Sequence, residues 1–221
     1  MAATRTKTFA HRGAHNEACP ENTLAAFQRA VDLGVDGIET DIRMAADGTA
    51  LLFHDRCLAD GTPIDTLTRD ELARRTGRDV PTLAAALGQG WDVEWDLEIK
   101  NADALRAAIP VLRPLLSRTR LFVSSFAHPV VRDAVDALGV EGGLLIYHEP
   151  LDAAGLGRAS ERIPFLIIDI ETTTDEVLEM SRAQGFKTMV YGLLIRADHE
   201  SVRDLGLEAI ITDHPEYSLT H

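Results

Sequence analysis

Cysteine is nearly absent: the 221 residues carry only Cys19 and Cys57. Neither falls in a metal-binding spacing and two cannot make a disulfide framework, so both are expected as free thiols in a reducing compartment. No apolar run approaches the length that spans a bilayer, which argues against a transmembrane helix. His-Arg-Gly begins at position 11, leaving no room for a signal peptide ahead of it. A soluble, cytoplasmic protein is the expectation. Positive charge is not in excess either, with 22 Lys and Arg against 35 Asp and Glu and a net charge of −13. That balance argues against nucleic acid or an anionic membrane surface as the main partner. It still allows a phosphate-bearing small molecule where positive charge is local or a metal helps. There is no Ser/Pro-rich linker and no low-complexity segment. One domain spanning residues 1–221 is the economical reading, and at 45% hydrophobic and 26% charged residues it can bury a substantial core.

What the chain does contain is alternation. Strand-like runs TKTFAH, DGIETDI, ALLFHD, EWDLEIK, RLFVSSF, GGLLIYH, FLIIDI, TMVYGLL and AIITD are mostly followed by helical patterns. These are NTLAAFQRAVDLG, TLAAALGQG, ADALRAAIPVLRPLLSR, HPVVRDAVDALG, LDAAGLGRASE, TDEVLEMSRAQG and HESVRDLG. Gly34, Gly139, Gly185 and Gly206 stand where helices should stop, as C-terminal caps do. Nine strands are one too many for an eightfold barrel, and the interval from Asp41 to Leu51 is too short for a crossover helix. Ala46-Asp47-Gly48 has turn chemistry, so ALLFHD reads as a hairpin-like return, and residues 55–80 extend that excursion. Removing it leaves eight βα repeats, a (β/α)₈ TIM barrel with a short insertion after the second strand. A doubly wound open sheet is the runner-up.

Side chains two apart on a strand share a face. Glu39 and Asp41 therefore point one way, as do Glu94, Asp96, Glu98 and Lys100, while Ile38, Ile42, Trp95, Leu97 and Ile99 point the other. A barrel strand turns its outer face to helices, so the acidic set is expected inside, where desolvation is costly. Glu39, Asp41 and Glu98 offer hard oxygen ligands for Mg²⁺ or Ca²⁺. The alternative is an ion-pair network with Lys100 and Arg12, but three carboxylates outnumber two cations. His11 and His54 each close a strand beside this cluster, and two imidazoles can serve as general acid and base. Arg12 and Lys100 add fixed positive charge suited to a phosphodiester. Phe9 and Ala10 end the strand before His11, and Asn22 or Thr23 can cap the helix that carries Leu24, Phe27 and Val31.

HRG followed by PENT (residues 20–23), GIETDI, DG before LLFHD, and LEIK together resemble the glycerophosphodiester phosphodiesterase family. VPTLAAAL, VSSF and IITDHP are weaker echoes, so the likeness spans nearly the whole chain. It implies a (β/α)₈ barrel that hydrolyses glycerophosphodiesters to sn-glycerol 3-phosphate and an alcohol with a divalent metal. Carried over by match, His11 and His54 are the acid–base pair, Glu39, Asp41 and Glu98 the metal ligands, and Arg12 and Lys100 phosphate contacts.

One departure concerns a late strand, where family members often carry a Trp-Thr-Val-Asn-like end and this chain has MVYGLLI. Tyr191 either packs in the barrel or gives the alcohol a differently shaped wall. Asp213 and Ser125 are expected as pocket residues, and His128, His148, His199 and His214 as loop or helix-start residues without a chemical role. Rival readings are a phospholipase D-like activity on lysophospholipids and a non-catalytic barrel that binds a phosphodiester. Two intact histidines and three carboxylates argue against the second.

Overall fold

The computed structural model describes residues 5–148 and 160–219. Its strands are β1 (Lys7–His11), β2 (Gly37–Met44), β3 (Ala50–Leu52), β4 (Glu94–Ile99), β5 (Leu121–Ser125), β6 (Glu141–Ile146), β7 (Phe165–Asp169), β8 (Lys187–Leu193) and β9 (Ala209–Thr212). Its helices are α1 (Leu24–Leu33), α2 (Arg69–Thr76), α3 (Leu83–Leu87), α4 (Ala102–Leu112), α5 (His128–Leu138), α6 (Asp175–Gln184) and α7 (Arg196–Val202). The strands pair in the order β1-β9-β8-β7-β6-β5-β4-β2, and β1 closes on β2. All these pairings are parallel, and β3 alone runs antiparallel on β2. The molecule is an eight-stranded parallel barrel with one extra strand. Among the described residues no helix is long and apolar enough to cross a membrane, and Cys19 and Cys57 are free.

The register explains which side chains fill the interior. Phe9, Phe122, Leu145, Phe165, Ile167, Met189, Ala209 and Ile211 form one buried cluster inside the barrel, with Leu145 and Ile211 reaching up to the cavity described below. Phe122 and Phe165 meet at 4.6 Å between ring centroids, and Phe9 meets Phe122 edge-on at 6.0 Å. Gly37 stands opposite Phe9, where an added Cβ would lie 2.3 Å from the ring. The absence of a side chain there makes room for the phenyl group. Outside, Ile38, Ile42, Trp95, Leu97 and Ile99 pack with Phe27, Ala30, Leu83 and Ala104 of the helices. Each fully buried side chain of this size contributes roughly 1.5–3 kcal/mol.

Thr23, rather than Asn22, caps α1 by accepting from Ala26 N, and Gly34 closes it in the left-handed region at φ 79°. Gly139 and Gly185 close α5 and α6 in the same way. Gly206 does not cap α7, which already ends at Val202 with Arg203 as its cap. That helix also begins earlier than the HESVRDLG pattern, because the Asp198 carboxylate accepts from the Leu194 and Ile195 N–H groups and starts the first turn there. After β2, Asp47 and Gly48 turn the chain, and Leu52 returns opposite Ile42. The excursion beyond β3 packs Phe53, Ile64, Leu67, Leu72 and Val80 against Ala45 and against Leu51 of β3 in a small core of its own. It also holds α2, a helix outside the patterns read from the sequence and started by a reciprocal cap between Thr68 and Glu71. The expected helical pattern at residues 151–161 lies, but for its last two positions, outside the described residues.

Candidate active site

The turn after β1 is built from backbone conformations that most side chains avoid. Arg12 and Asn22 are the two non-glycine residues with positive φ among the described residues, at 54° and 55°. Gly13 between them has φ +82°, and a Cβ there would lie 2.8 Å from the Ala26 carbonyl carbon. Holding a non-glycine residue in this region costs on the order of 1 kcal/mol or more. Hydrogen bonds offset the cost. Arg12 N donates to Glu39 Oε2 at 3.1 Å, Asn22 N to Arg12 O at 3.0 Å, and Asn22 Nδ2 to Asp41 Oδ2 at 2.8 Å. Thr40 Oγ1 donates to Asn22 Oδ1 at 2.6 Å. His-Arg-Gly and Pro-Glu-Asn-Thr are thus one device that aims donors at the acidic residues of β2.

Glu39, Asp41 and Glu98 each offer an oxygen within 4.8 Å of the others, all three buried. Lys100 Nζ lies 2.6 Å from Asp41 Oδ1 and 2.5 Å from Glu98 Oε1, and Arg12 Nε lies 3.2 Å from Asp41 Oδ2. Burial pushes the Asp41 carboxyl up, but Lys100 and Arg12 outweigh it and hold the group well below the usual carboxylate range. Glu39 goes the other way, raised first by burial and then by the charges of Asp41 and Glu98. Glu98 is also raised by burial, which Lys100 only partly offsets. Asp96 sits behind them, accepts from Ser124 Oγ at 2.6 Å, and is pushed up to about 8 by burial. Glu39 Oε1 and Asp96 Oδ2 are buried without a hydrogen-bond partner. Four buried carboxyl groups against two cations, with an unpartnered oxygen on Glu39, suit a hard divalent cation held by Glu39, Asp41 and Glu98.

Two histidines flank the cluster. His11 Nδ1 lies 2.7 Å from Asp213 Oδ1, and its Nε2 is 3.8 Å from Glu39 Oε2. His15 Nε2 reaches the same Asp213 oxygen at 3.0 Å. Burial works against the Asp213 charge, but the hydrogen bonds from both rings hold its carboxyl far below the usual range. With Nδ1 engaged on Asp213, His11 presents Nε2 to the site. His54 Nδ1 meets Asp55 Oδ1 at 2.9 Å, and its carbonyl accepts from Arg43 Nε at 2.7 Å. His11, Arg12, Glu39, His54, Glu98 and Asp213 line one cavity of about 280 Å³.

The remaining sequence expectations divide. Tyr191 does line the cavity, but its hydroxyl donates to Ile146 O at 3.2 Å, and burial raises it far above an ordinary phenol. Lys100 borders a neighbouring cavity with Arg43 and Asn101. Ser125 is not a pocket residue: its hydroxyl donates to Ile99 O at 2.6 Å, and Ser124, which pairs with Glu98, faces the cavity instead. His199 is neither on a loop nor at a helix start. It lies within α7, buried, with Nδ1 on Ser218 Oγ and Nε2 on Thr212 Oγ1. His15 and the reach of Asn22 to Asp41 escaped the sequence reading. Asn22 was visible only as a cap candidate, and no spacing rule links His15 to Asp213.

Comparison with known proteins agrees with this fold. The profile of the Glycerophosphoryl diester phosphodiesterase family matches residues 11–127, just over half of the chain. A glycerophosphodiester phosphodiesterase of Caldanaerobacter subterraneus subsp. tengcongensis is 29% identical over 96% of both chains. The crystal structure of a glycerophosphodiester phosphodiesterase from Thermotoga maritima superposes with a TM-score of 0.81 at 24% identity, covering 96% of each chain. An Oleispira antarctica phosphodiesterase, solved in complex with the product sn-glycerol-3-phosphate, gives a TM-score of 0.80 at 23% identity over 96% of this chain and 94% of that one.

Proposed function

Because the chain belongs to the glycerophosphoryl diester phosphodiesterase family, we propose that this phosphodiesterase hydrolyses glycerophosphodiesters to sn-glycerol 3-phosphate and an alcohol. In this reading it does so as one domain, with Glu39, Asp41 and Glu98 as ligands of Mg²⁺ or Ca²⁺. When bound, the cation supplies positive charge against the phosphate. Arg12 and Lys100 contribute fixed positive charge on the protein side, and Tyr191 forms part of the wall beside the substrate. One of His11 and His54 takes the proton of the glycerol 2-hydroxyl as its oxygen attacks phosphorus. The other gives a proton to the departing alcohol oxygen as the P–O bond breaks, leaving a cyclic phosphate. Water then opens the ring with the two roles exchanged. Asp213 acts through His11 by fixing which ring nitrogen faces the cavity.

The observation that supports this reading is the cavity itself, where two histidines, Arg12 and two of the three clustered carboxylates share one wall. A binding barrel has no need of an acid–base pair there. The test is release of glycerol 3-phosphate from a panel of glycerophosphodiesters after chelator treatment, with and without added Mg²⁺ or Ca²⁺, read together with the melting temperature. Cation-dependent release and a higher Tm are expected, since binding stabilises by mass action. If saturating cation leaves both unchanged, the carboxylates belong to an ion-pair network with Lys100 and Arg12.

A further inference from the structure

Among the described residues, the exposed large hydrophobic side chains are Phe126, Tyr147, Leu194 and Ile195, from 48% to 61% exposed. They are not scattered. Phe126 follows β5, Tyr147 follows β6, and Leu194 and Ile195 follow β8, all at the barrel end that carries the histidines. Phe126, Tyr147 and Leu194 line the same cavity as His11, His54 and Glu98. The site thus has a charged side built by β1, β2 and β4 and an apolar side built by β5, β6 and β8. Single exposed apolar residues are ordinary on a protein surface, but a contiguous set at a pocket mouth marks a binding site.

The backbone is shaped to present this side. Tyr191 pairs with Ile211 and Leu193 pairs with Thr212, so β8 carries one extra residue against β9. Gly192 takes up that bulge at φ +84°, and a Cβ there would lie 3.1 Å from Asp169 Oδ2. A bulge reverses the in–out alternation beyond it. Leu193 therefore packs in the outer cluster with Val190 and Val202 while still bordering the cavity, and Leu194 stands exposed at the cavity rim. The pair is also held in place, because Leu194 N and Ile195 N donate to Asp198 Oδ2 at 2.8 and 3.0 Å. A fixed apolar tip loses little conformational entropy when something covers it.

We propose that this rim binds an alkyl or aryl group on the alcohol side of the substrate, so that the enzyme prefers glycerophosphodiesters of apolar alcohols over those of small charged ones. The inference rests on the activity proposed above, in which the glycerol arm leaves as glycerol 3-phosphate and the other arm carries the variable group. Continuity with the catalytic cavity favours substrate over a membrane as the occupant. The net charge of −13 also disfavours an anionic lipid surface.

The test compares kcat/KM for the ethyl, butyl and hexyl esters of glycerol 3-phosphate with that for glycerophosphoethanolamine, at saturating Mg²⁺. Each added methylene is expected to raise kcat/KM about two- to fourfold, the upper figure corresponding to full burial. In the L194S/I195S variant, whose changes lie on exposed side chains, the hexyl-to-ethyl ratio should fall toward one. A flat series in the wild type, a preference for the ethanolamine ester, or an undiminished ratio in the variant overturns the proposal. So does a gain only when an acyl chain is placed on the glycerol arm. A flat series with rim-dependent co-sedimentation on phosphatidylcholine vesicles also overturns it, in favour of surface docking. Failure to hydrolyse any ester overturns the activity reading as well, and is distinct from turnover without chain-length preference.

Discussion

Replacing Lys100 by methionine tests how the buried acidic cluster is balanced. The ammonium lies 2.6 Å from Asp41 Oδ1 and 2.5 Å from Glu98 Oε1, with its side chain 10% exposed. Both carboxylates hold it charged, and its pKa is raised although burial alone would lower it. Methionine keeps most of the side-chain volume and removes the charge. Asp41 would retain Arg12 Nε at 3.2 Å and the Asn22 amide, whereas Glu98 has no other ion-pair partner among the described residues. Breaking a buried pair in this way costs about 3–5 kcal/mol. For a chain of this length each kcal/mol moves Tm by about 2–4 °C, so a fall of roughly 6–20 °C is expected in chelator. Divalent cation should then return much of it, because about 2.7 kcal/mol is gained at a concentration 100 times Kd. Activity in saturating cation should stay low if the ammonium also meets the phosphate. Melting curves of both proteins, with chelator and with Mg²⁺, read the first two effects directly. A variant melting no more than about 2 °C below wild type in chelator, under 1 kcal/mol on the same scale, would refute this balance of charge.

Three further outcomes are expected. His11→Ala and His54→Ala should each lower turnover by about 10²–10⁴-fold with little change in Tm, and near-wild-type turnover in either would remove that ring from the chemistry. Asp213→Asn keeps the shape but no longer fixes the His11 ring, so kcat should fall about 10²–10⁴-fold with KM little changed; a rise in KM with kcat unchanged would refute the positioning role. Burial first, and then the charge of His214, hold His199 below its ordinary pKa. The unfolded chain therefore binds more protons there, and this contribution to stability is complete above about pH 6.5 and is lost as pH falls toward the folded value. Urea midpoints at about pH 8 and pH 5.5 should fall more for wild type than for His199→Gln, and equal falls would show that the ring does not carry the effect.

The barrel was legible because its signal is local and repeated. Strand runs alternate with amphipathic helices, and inside β2 and β4 the acidic residues keep strict period two. Where the structure departs from that reading, a single residue changes the phase. Ser125 follows Ser124 on β5, and only the pairing of Ser124 with Glu98 decides which of them faces in. Leu194 reaches the cavity rim because Gly192 adds a residue to the strand before it. The helix α2 was legible in principle, since Thr68 and Glu71 carry the capping-box spacing, but its charged face hid the apolar period around Leu72. His15 and Asp213 are 198 positions apart, and only closure of β1 on β9 brings them together.

That closure also explains why the site sits on these strands. Four carboxyl groups on β2 and β4 face a barrel interior, and two of them keep an oxygen without a partner. Left alone, such an interior would favour the unfolded chain. The same strands carry Ile38, Ile42, Trp95, Leu97 and Ile99 on their outer faces, each buried under helices. The rest of the interior is filled by aromatic and aliphatic residues of β1 and of β5–β9. The apolar plug inside the barrel and the helical coat outside supply the stability that lets the upper interior remain acidic. The bulge, the left-handed Arg12 and the paired histidines all lie at the C-terminal ends of strands, beyond the plug, where few core contacts depend on them. Changes there should alter chemistry before they alter folding. Lys100 is the exception, because it lies at the boundary and balances charge for both.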